Sequence, residues 1–190
     1  ATTRERPVYL AGESFGGILA SEVALALLEE HGLVEKLKGL VLINAATCYD
    51  RSRLAAEGPP VFRLPKLLYV FGILKLLPMF LDDVSFPQLL AIIQGKALPS
   101  LIDNPVREAY VGRLAFSLPF LLKFMPQDTF QWRLEQWLEV GCSRMTSKLR
   151  DLAKHETLRT LIIAGEKDLT LPSIAEAERL AQILPNSQVH

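Results

Sequence analysis

Short continuous runs of apolar residues recur along the chain and are the first guide to its fold. They occupy positions 8–10, 40–43 and 161–163, and each ends in a small or turn-forming residue. Such runs are typical of parallel strands that are covered on both faces of a sheet. We therefore predict three buried parallel strands, with a fourth beginning at Gln188 and Val189.

Helical segments separate these strands. Residues 17–30 follow the first strand and residues 173–184 follow the third. We expect the second of these helices to begin with a capping box formed by Ser173 and Glu176. Its apolar side chains share one face, which would cover a sheet: Ala177, Leu180, Ala181 and Leu184. Strand, turn and helix recurring in this order predict an α/β fold with right-handed crossovers.

A long apolar insertion, residues 52–156, interrupts this alternation. Nine of the twelve prolines lie between positions 52 and 126, which predicts helices broken into short pieces. The last piece is the clearest helix in the chain, with apolar side chains at helical spacing on one face: Leu134, Trp137, Leu138, Cys142, Met145, Leu149 and Leu152. We interpret residues 1–51 and 157–190 as an α/β core and residues 52–156 as a helical cap.

Composition excludes several classes of protein. A chain of 190 residues with 49% hydrophobic residues can bury one sizeable core. Its 21 basic and 21 acidic residues balance, so no basic field is available to attract nucleic acid. Cys48 and Cys142 lack metal-ligand spacing and are predicted to be core thiols. We expect no metal and no cofactor.

Residues 61–81 are the best candidate for contact with a membrane. Arg63, Lys66 and Lys75 interrupt this apolar stretch, and Pro65 and Pro78 break its helix. We therefore do not predict a membrane span, whereas peripheral contact with a membrane surface stays open. The first residues, "ATTRER", do not resemble a targeting segment.

The candidate chemistry centres on a serine in the motif G-x-S-x-G, Gly12-Glu13-Ser14-Phe15-Gly16. The motif lies between a predicted buried strand and a helix, which is the setting of a nucleophile elbow. So sharp a turn strains the backbone, and we predict that Gly12 and Gly16 must lack side chains. At the helix N-terminus, the amide of Phe15 would donate to an oxyanion. The alternative is a glycine-rich turn whose serine only caps the helix.

A carboxylate that could orient the catalytic base follows the third predicted strand. Asp168 lies in the loop "GEKDLTLPS", at the carboxyl end of the sheet where Ser14 also emerges. Glu166 is the reserve candidate, and Asp50, after the second strand, is a weaker one. Alternatively, Asp168 merely belongs to a polar turn.

The base itself is harder to find among the three histidines. His31 and His155 are expected near helix ends, away from Ser14. His190 follows Asp168 in the required order, but we expect it at the start of a strand. A strand of five or six residues rises roughly 17 to 20 Å, so His190 would lie at the wrong edge of the sheet. We therefore expect the catalytic histidine beyond residue 190.

The N-terminal end leads to a similar expectation. A nucleophile elbow normally follows several strands, one of whose loops supplies the second oxyanion donor, whereas here it begins at residue 12. We therefore expect an α/β core that is incomplete at both ends.

Taken together, these segments resemble the α/β-hydrolase superfamily, and more narrowly the plant and algal esterase/lipase/thioesterase proteins called phytyl ester synthases. The resemblance depends on "RPVYLAGESFGG", on "LVLINAAT" followed by the proline-broken insertion, and on "LIIAGEKDLTLPS" with "RLAQILPNSQVH". It spans nearly the whole chain.

The resemblance implies acyl transfer in plastids, from acyl-thioesters or galactolipids to phytol or diacylglycerol. Members typically have a second, acyltransferase half with an H-x-x-x-x-D motif, which is absent here and would lie beyond residue 190. The apolar insertion would supply a pocket for a long acyl chain, or else pack on itself. A hypothesis from another class is a non-catalytic α/β-hydrolase-fold module that binds lipid without turnover.

Overall fold

A four-stranded sheet forms the centre of the computed structural model, which describes residues 7–29, 36–80, 87, 91 and 125–190. All neighbouring strands are parallel, and their order is β1-β2-β3-β4. They are β1 (Val8–Glu13), β2 (Leu37–Ile43), β3 (Arg159–Ile163) and β4 (Ser187–Val189). The predicted α/β class, with a parallel sheet and flanking helices, is confirmed.

Helices connect the strands. Helix α1 (Phe15–Glu29) follows β1, and α6 (Ser173–Ile183) lies between β3 and β4. The described residues between β2 and β3 form short helical pieces, as the prolines predicted. They are a 3₁₀ helix (Ala46–Arg51), α2 (Arg53–Phe62), α3 (Lys66–Leu76), a second 3₁₀ helix (Leu77–Phe80), α4 (Gln127–Trp132), a π-helical stretch (Arg133–Glu139) and α5 (Val140–Ala153).

The predicted amphipathic helix is confirmed, and it packs on α1. Six of its seven predicted apolar positions are at most 8% exposed: Leu134, Leu138, Cys142, Met145, Leu149 and Leu152. The two helices lie close together, because a Cβ atom at Gly141 would be 3.1 Å from Cγ2 of Ile18. Burying each leucine or methionine side chain contributes about 1.5–3 kcal/mol. This end of the insertion is therefore part of the core that supports the sheet.

Burial of the strands is uneven, and the prediction that β1 is buried was wrong. Leu40 and Leu42 of β2 are at most 1% exposed, and Ile162 of β3 is 2% exposed. In β1, by contrast, Tyr9 is 64% and Val8 is 41% exposed. The reason is strand order, since β1 pairs with β2 alone and forms an edge of the described sheet.

The capping box predicted at the start of α6 was also wrong. Pro172 precedes the helix, and the structure shows no side-chain capping bond there. The Ser173 hydroxyl donates instead to Asp168, and the Glu176 carboxylate accepts from Arg51 and Arg179. Both side chains make tertiary contacts that a local capping pattern does not reveal.

The chain divides into two compact units. One comprises Ala1–Ala55 and Glu135–His190 and contains the sheet, and the other is Ala56–Leu134. In the second unit, the rings of Phe62 and Tyr69 each lie 6.4 Å from the ring of Phe130.

Across the described ranges, the helices are too short or too polar to cross a bilayer. The interpretation of residues 52–156 as a cap stays a prediction.

Candidate active site

Ser14 occupies the turn between β1 and α1, and its backbone is strained as predicted. Its φ angle is 50°, in the left-handed region that non-glycine residues seldom adopt. Three hydrogen bonds hold this conformation. The Ser14 amide donates to the carbonyl of Ile43 at 2.9 Å, and the Ser14 carbonyl accepts from the amides of Gly17 and Ala46 at 3.0 and 2.9 Å.

The glycine requirement of this turn differs from the predicted one. A Cβ atom at Gly12 would lie 2.1 Å from the carbonyl oxygen of Gly16, so Gly12 must lack a side chain. At Gly16 an added Cβ would meet nothing within 4 Å, and the expectation for that position was wrong. Gly17 is the second constrained site, because a Cβ there would lie 2.6 Å from that of Ala45. Positions 12 and 16 differ because the carbonyl group of Gly16 faces Gly12, whereas the place of a Cβ atom at Gly16 is open.

The groups that would react are accessible. Ser14 is partly exposed, and within the described ranges its hydroxyl makes no hydrogen bond. The Phe15 amide likewise has no acceptor in that part of the chain, as is usual in the first turn of a helix. The Phe15 ring packs against Trp137, with centroids 6.1 Å apart, so the π-helical stretch lies beside the turn.

Asp168 lies in the loop after β3, and its carboxylate orders that loop. Oδ1 accepts from the amides of Thr170 and Leu171 at 2.8 and 3.0 Å, and Oδ2 accepts from the Ser173 hydroxyl. A carboxylate has about four lone-pair sites, so it can still accept a further bond. These contacts agree with the interpretation of Asp168 as part of a polar turn. They leave the carboxylate able to accept a further hydrogen bond from a histidine.

Ser14 and Asp168 share one edge of the sheet. Each follows the carboxyl end of its strand, and β2 lies between those strands. Strands are spaced about 4.8 Å apart, which places the ends of β1 and β3 about 10 Å from each other. A third group is therefore needed to connect the hydroxyl with the carboxylate.

His190 does not lie where we predicted. Its amide donates to the carbonyl of Ile162 and its carbonyl accepts from Ala164, both at 2.8 Å, so it is level with the end of β3. The prediction of the opposite edge was wrong because β4 has only three residues and its register starts at Thr160. Strand order still separates His190 from Ser14, since β4 lies three strands from β1, about 14 Å away.

None of the other predicted candidates that the structure describes is hydrogen-bonded to Ser14. His155 directly follows the capping residue of α5, near the helix end as expected, and His31 lies outside the described residues. Glu166 is exposed, and Asp50 accepts a bond from the thiol of Cys142 at 3.2 Å. A base beyond residue 190 stays a prediction.

Both cysteines are free and buried, as predicted. Burial raises the pKa of the Cys48 thiol to about 12, and burial likewise raises the pKa of Cys142. Since the thiolate is the nucleophilic form, neither thiol competes with Ser14 at neutral pH.

Sequence reasoning missed the segment that joins the two halves of this site. Residues 44–53, which we call the connector, follow β2 and contact both the serine turn and the Asp168 loop. Towards the turn, Ala46 bonds to Ser14 and Ala45 faces Gly17. Towards the loop, Oδ1 of Asn44 accepts from the Gly165 amide at 2.7 Å.

A buried ion cluster reinforces the connector. Glu176 is 1% exposed, and its carboxylate accepts from Thr47, from Arg51 at 2.6 Å and from two nitrogens of Arg179 at 2.6 and 2.8 Å. These bonds satisfy both carboxylate oxygens, as a buried charge requires. The cluster attaches the connector to α6, the helix that follows the Asp168 loop.

Comparison with known proteins finds relatives of this chain in a plant. No family model matches it, and neither does any solved structure. It is 32% identical to phytyl ester synthase 1, chloroplastic, of Arabidopsis thaliana over 190 residues, which is 100% of this chain and 25% of that protein. It is 25% identical to phytyl ester synthase 2, chloroplastic, of the same plant over 194 residues, 95% of this chain and 24% of that protein.

These matches confirm the resemblance to phytyl ester synthases over this stretch. The chain spans about a quarter of the length of the curated relatives that it matches. Both relatives are named chloroplastic, in agreement with the plastid location that the resemblance implies.

Proposed function

We propose that this chain carries the nucleophile and acid of a serine acyl-transferring enzyme that acts on lipid esters or thioesters in plastids. The observation that carries the proposal is the φ angle of 50° at Ser14, directly before α1. Beside it, the Phe15 amide has no hydrogen-bond acceptor among the described residues. A serine that only caps a helix has an extended backbone and bonds to the second or third amide of the helix. The names of the two relatives support the acyl-transfer class.

In the first half-reaction, the Ser14 hydroxyl oxygen attacks the carbonyl carbon of the acyl donor as a base removes the hydroxyl proton. The carbonyl oxygen gains negative charge and accepts a hydrogen bond from the Phe15 amide. Collapse of this intermediate breaks the bond to the alkoxide or thiolate, which takes the proton from the base and leaves an acyl-serine.

In the second half-reaction, an acceptor hydroxyl attacks the carbonyl carbon of the acyl-serine as the same base removes its proton. The bond between the acyl group and the Ser14 oxygen then breaks, and that oxygen takes the proton back from the base. Attack by phytol yields a phytyl ester, attack by diacylglycerol yields a triacylglycerol, and attack by water yields the free acid. We propose phytol because the relatives are named phytyl ester synthases. Asp168 would orient a histidine supplied by residues beyond 190, and a further acyltransferase half would follow there.

A fluorophosphonate probe tests the nucleophile on the full-length protein. We expect labelling that is lost in Ser14→Ala and kept in the control Ser143→Ala, whose hydroxyl is exposed on α5. Circular dichroism checks that both variants are folded. Absence of labelling in the folded wild type would overturn the proposal in favour of the non-catalytic lipid-binding module.

The acceptor is tested separately with an acyl-thioester donor, once labelling is established. We expect phytyl ester to accumulate when phytol is present, and free fatty acid to predominate without it. Labelling without ester formation would retain Ser14 as the nucleophile and contradict the assignment of phytol.

A further inference from the structure

Helix α3 has an apolar face that the described residues of the second unit leave exposed. Leu67 is 88% exposed, Phe71 is 60% and Leu68 is 49%. Residues 67, 68 and 71 lie on one stripe of a helix, because positions four apart are neighbours on its surface. Three large apolar side chains bare on one stripe indicate a contact surface.

The opposite face of α3 is anchored, so the exposed stripe has a defined orientation. Tyr69 is 5% exposed, and its hydroxyl donates to the carbonyl of Met125 at 3.0 Å. At Gly72 an added Cβ would lie 2.8 Å from side-chain atoms of Val61 and Leu64, so α3 sits close against the end of α2. The bare stripe therefore follows from how the helix packs.

Charge near the stripe indicates the kind of surface that it fits. Arg63, Lys66 and Lys75 are all exposed and lie before and after the apolar residues in the sequence. The Arg63 guanidinium lies 5.8 Å from the centre of the Phe62 ring. Positions 58–81 contain no aspartate or glutamate. Apolar side chains bordered by cations are typical of helices that lie in the plane of a membrane surface, with the cations facing anionic headgroups.

A second copy of the chain fits this surface less well. A twofold contact through the same stripe would bring Lys66 and Lys75 of each copy towards the same cations of the other. Repulsion between like charges would then oppose the apolar contact.

We propose that the exposed face of α3, with Leu67, Leu68 and Phe71 inserted and Arg63, Lys66 and Lys75 at its border, docks the protein onto an anionic lipid surface. This inference goes beyond acyl transfer and does not depend on Ser14. It assigns the protein a place at the interface between water and lipid.

Cosedimentation with vesicles tests the proposal. We expect the protein to bind vesicles of phosphatidylcholine mixed with phosphatidylglycerol far more strongly than vesicles of phosphatidylcholine alone. Added salt should weaken this binding, because it screens the headgroup charge. Equal binding of the wild-type protein to both vesicle types, or binding that salt does not change, would overturn the proposal.

Matched variants locate the surface. Lys66→Gln with Lys75→Gln should lower the partition coefficient about 25-fold, since each cation near the surface contributes about fivefold. The double control Arg144→Gln with Arg150→Gln removes the same charge from the exposed face of α5 and should have a much smaller effect. An equal loss in both pairs would show only a general charge effect and contradict the assignment to α3.

The apolar contribution is tested with Leu67→Ser and Phe71→Ser together, against the exposed Leu169→Ser as control. We expect the first pair to lose most vesicle binding and the control to keep it. If the pair instead alters the oligomeric state in sedimentation velocity and leaves vesicle binding intact, a second copy is the occupant and the proposal fails. Ser14→Ala should bind vesicles like wild type, so failure here and failure of the catalytic proposal are distinguishable.

Discussion

The side-chain oxygen Oδ1 of Asn44 accepts a hydrogen bond of 2.7 Å from the backbone amide of Gly165. Asn44 follows β2 and has a φ angle of 41°, and Gly165 begins the loop that carries Asp168. The Asn44 amide also donates to the carbonyl of Ile163 at 2.9 Å. Since the next residues of the connector hold the Ser14 turn, Asn44 sets the position of the Asp168 loop relative to the serine.

Replacing Asn44 should therefore loosen the site. In Asn44→Ala, the loss of the hydrogen bond costs about 1 kcal/mol. The left-handed backbone costs an alanine about 1 kcal/mol more. We expect the free energy of unfolding in urea to fall by about 2 kcal/mol in Asn44→Ala, and by about half as much in Asn44→Gly, which tolerates that backbone.

Asn44→Asp is the matched control, because it keeps an acceptor oxygen and a residue type that tolerates the left-handed region. It should resemble wild type in stability and in fluorophosphonate labelling, whereas Asn44→Ala should label more slowly. Equal labelling rates in wild type, Asn44→Asp and Asn44→Ala would contradict the role of Asn44 in positioning the Asp168 loop.

The two glycines of the G-x-S-x-G motif should respond in opposite ways to alanine. Gly12→Ala places a Cβ 2.1 Å from a backbone oxygen, and we expect it to destabilise the protein by more than about 2 kcal/mol or to prevent folding. Gly16→Ala meets open space in a helix and should stabilise by about 0.5–1 kcal/mol. Thermal unfolding of the two variants measures this, and similar destabilisation by both would contradict the described turn.

Removing the charge of Glu176 should weaken the link between the connector and α6. In Glu176→Gln, the bonds from Arg51 and Arg179 lose their charge assistance, at a cost of about 2 kcal/mol. The cost stays below that of a wholly buried pair because the side chains of Arg51 and Arg179 are 45% and 24% exposed and can rehydrate.

Glu178→Gln, an exposed position on the same helix, is the control and should change the free energy of unfolding by less than about 0.5 kcal/mol. Chemical denaturation compares the pair. Equal values for both variants would show that the buried cluster contributes nothing to stability.

Stability should decrease at alkaline pH because buried groups hold their protons more tightly in the folded state. Burial raises the pKa of Cys48 from 9.0 to about 12, with a smaller contribution from Glu176. Burial, followed by Glu139, raises the pKa of Tyr49 from 10.0 to about 12. Stabilisation by a raised pKa is complete below the unfolded value and is lost as pH rises towards the folded value.

We therefore expect the free energy of unfolding to decline between pH 9 and pH 12, measured by denaturant titration at each pH. The decline should be shallower in Cys48→Ala, which has no thiol to ionise, and unchanged in Ser143→Ala. An identical slope in Cys48→Ala and wild type would rule out this origin.

Much of this fold follows from local patterns in the sequence. Apolar runs located β1, β2 and β3, and helical spacing located α5 and α6, because periodic burial is written into neighbouring residues. The strained turn at Ser14 and the need for glycine at position 12 were likewise predicted from five consecutive residues. The resemblance to phytyl ester synthases depended on these same segments.

Only the tertiary structure decided which distant residues meet. The level of His190 depends on the register of β4, and the exposure of β1 depends on strand order. Gly17, Asn44 and Glu176 owe their importance to partners 28, 121 and 125 to 129 positions away in the chain. A linear pattern encodes which face of an element is apolar, but the atom that approaches that face is set by how the elements pack.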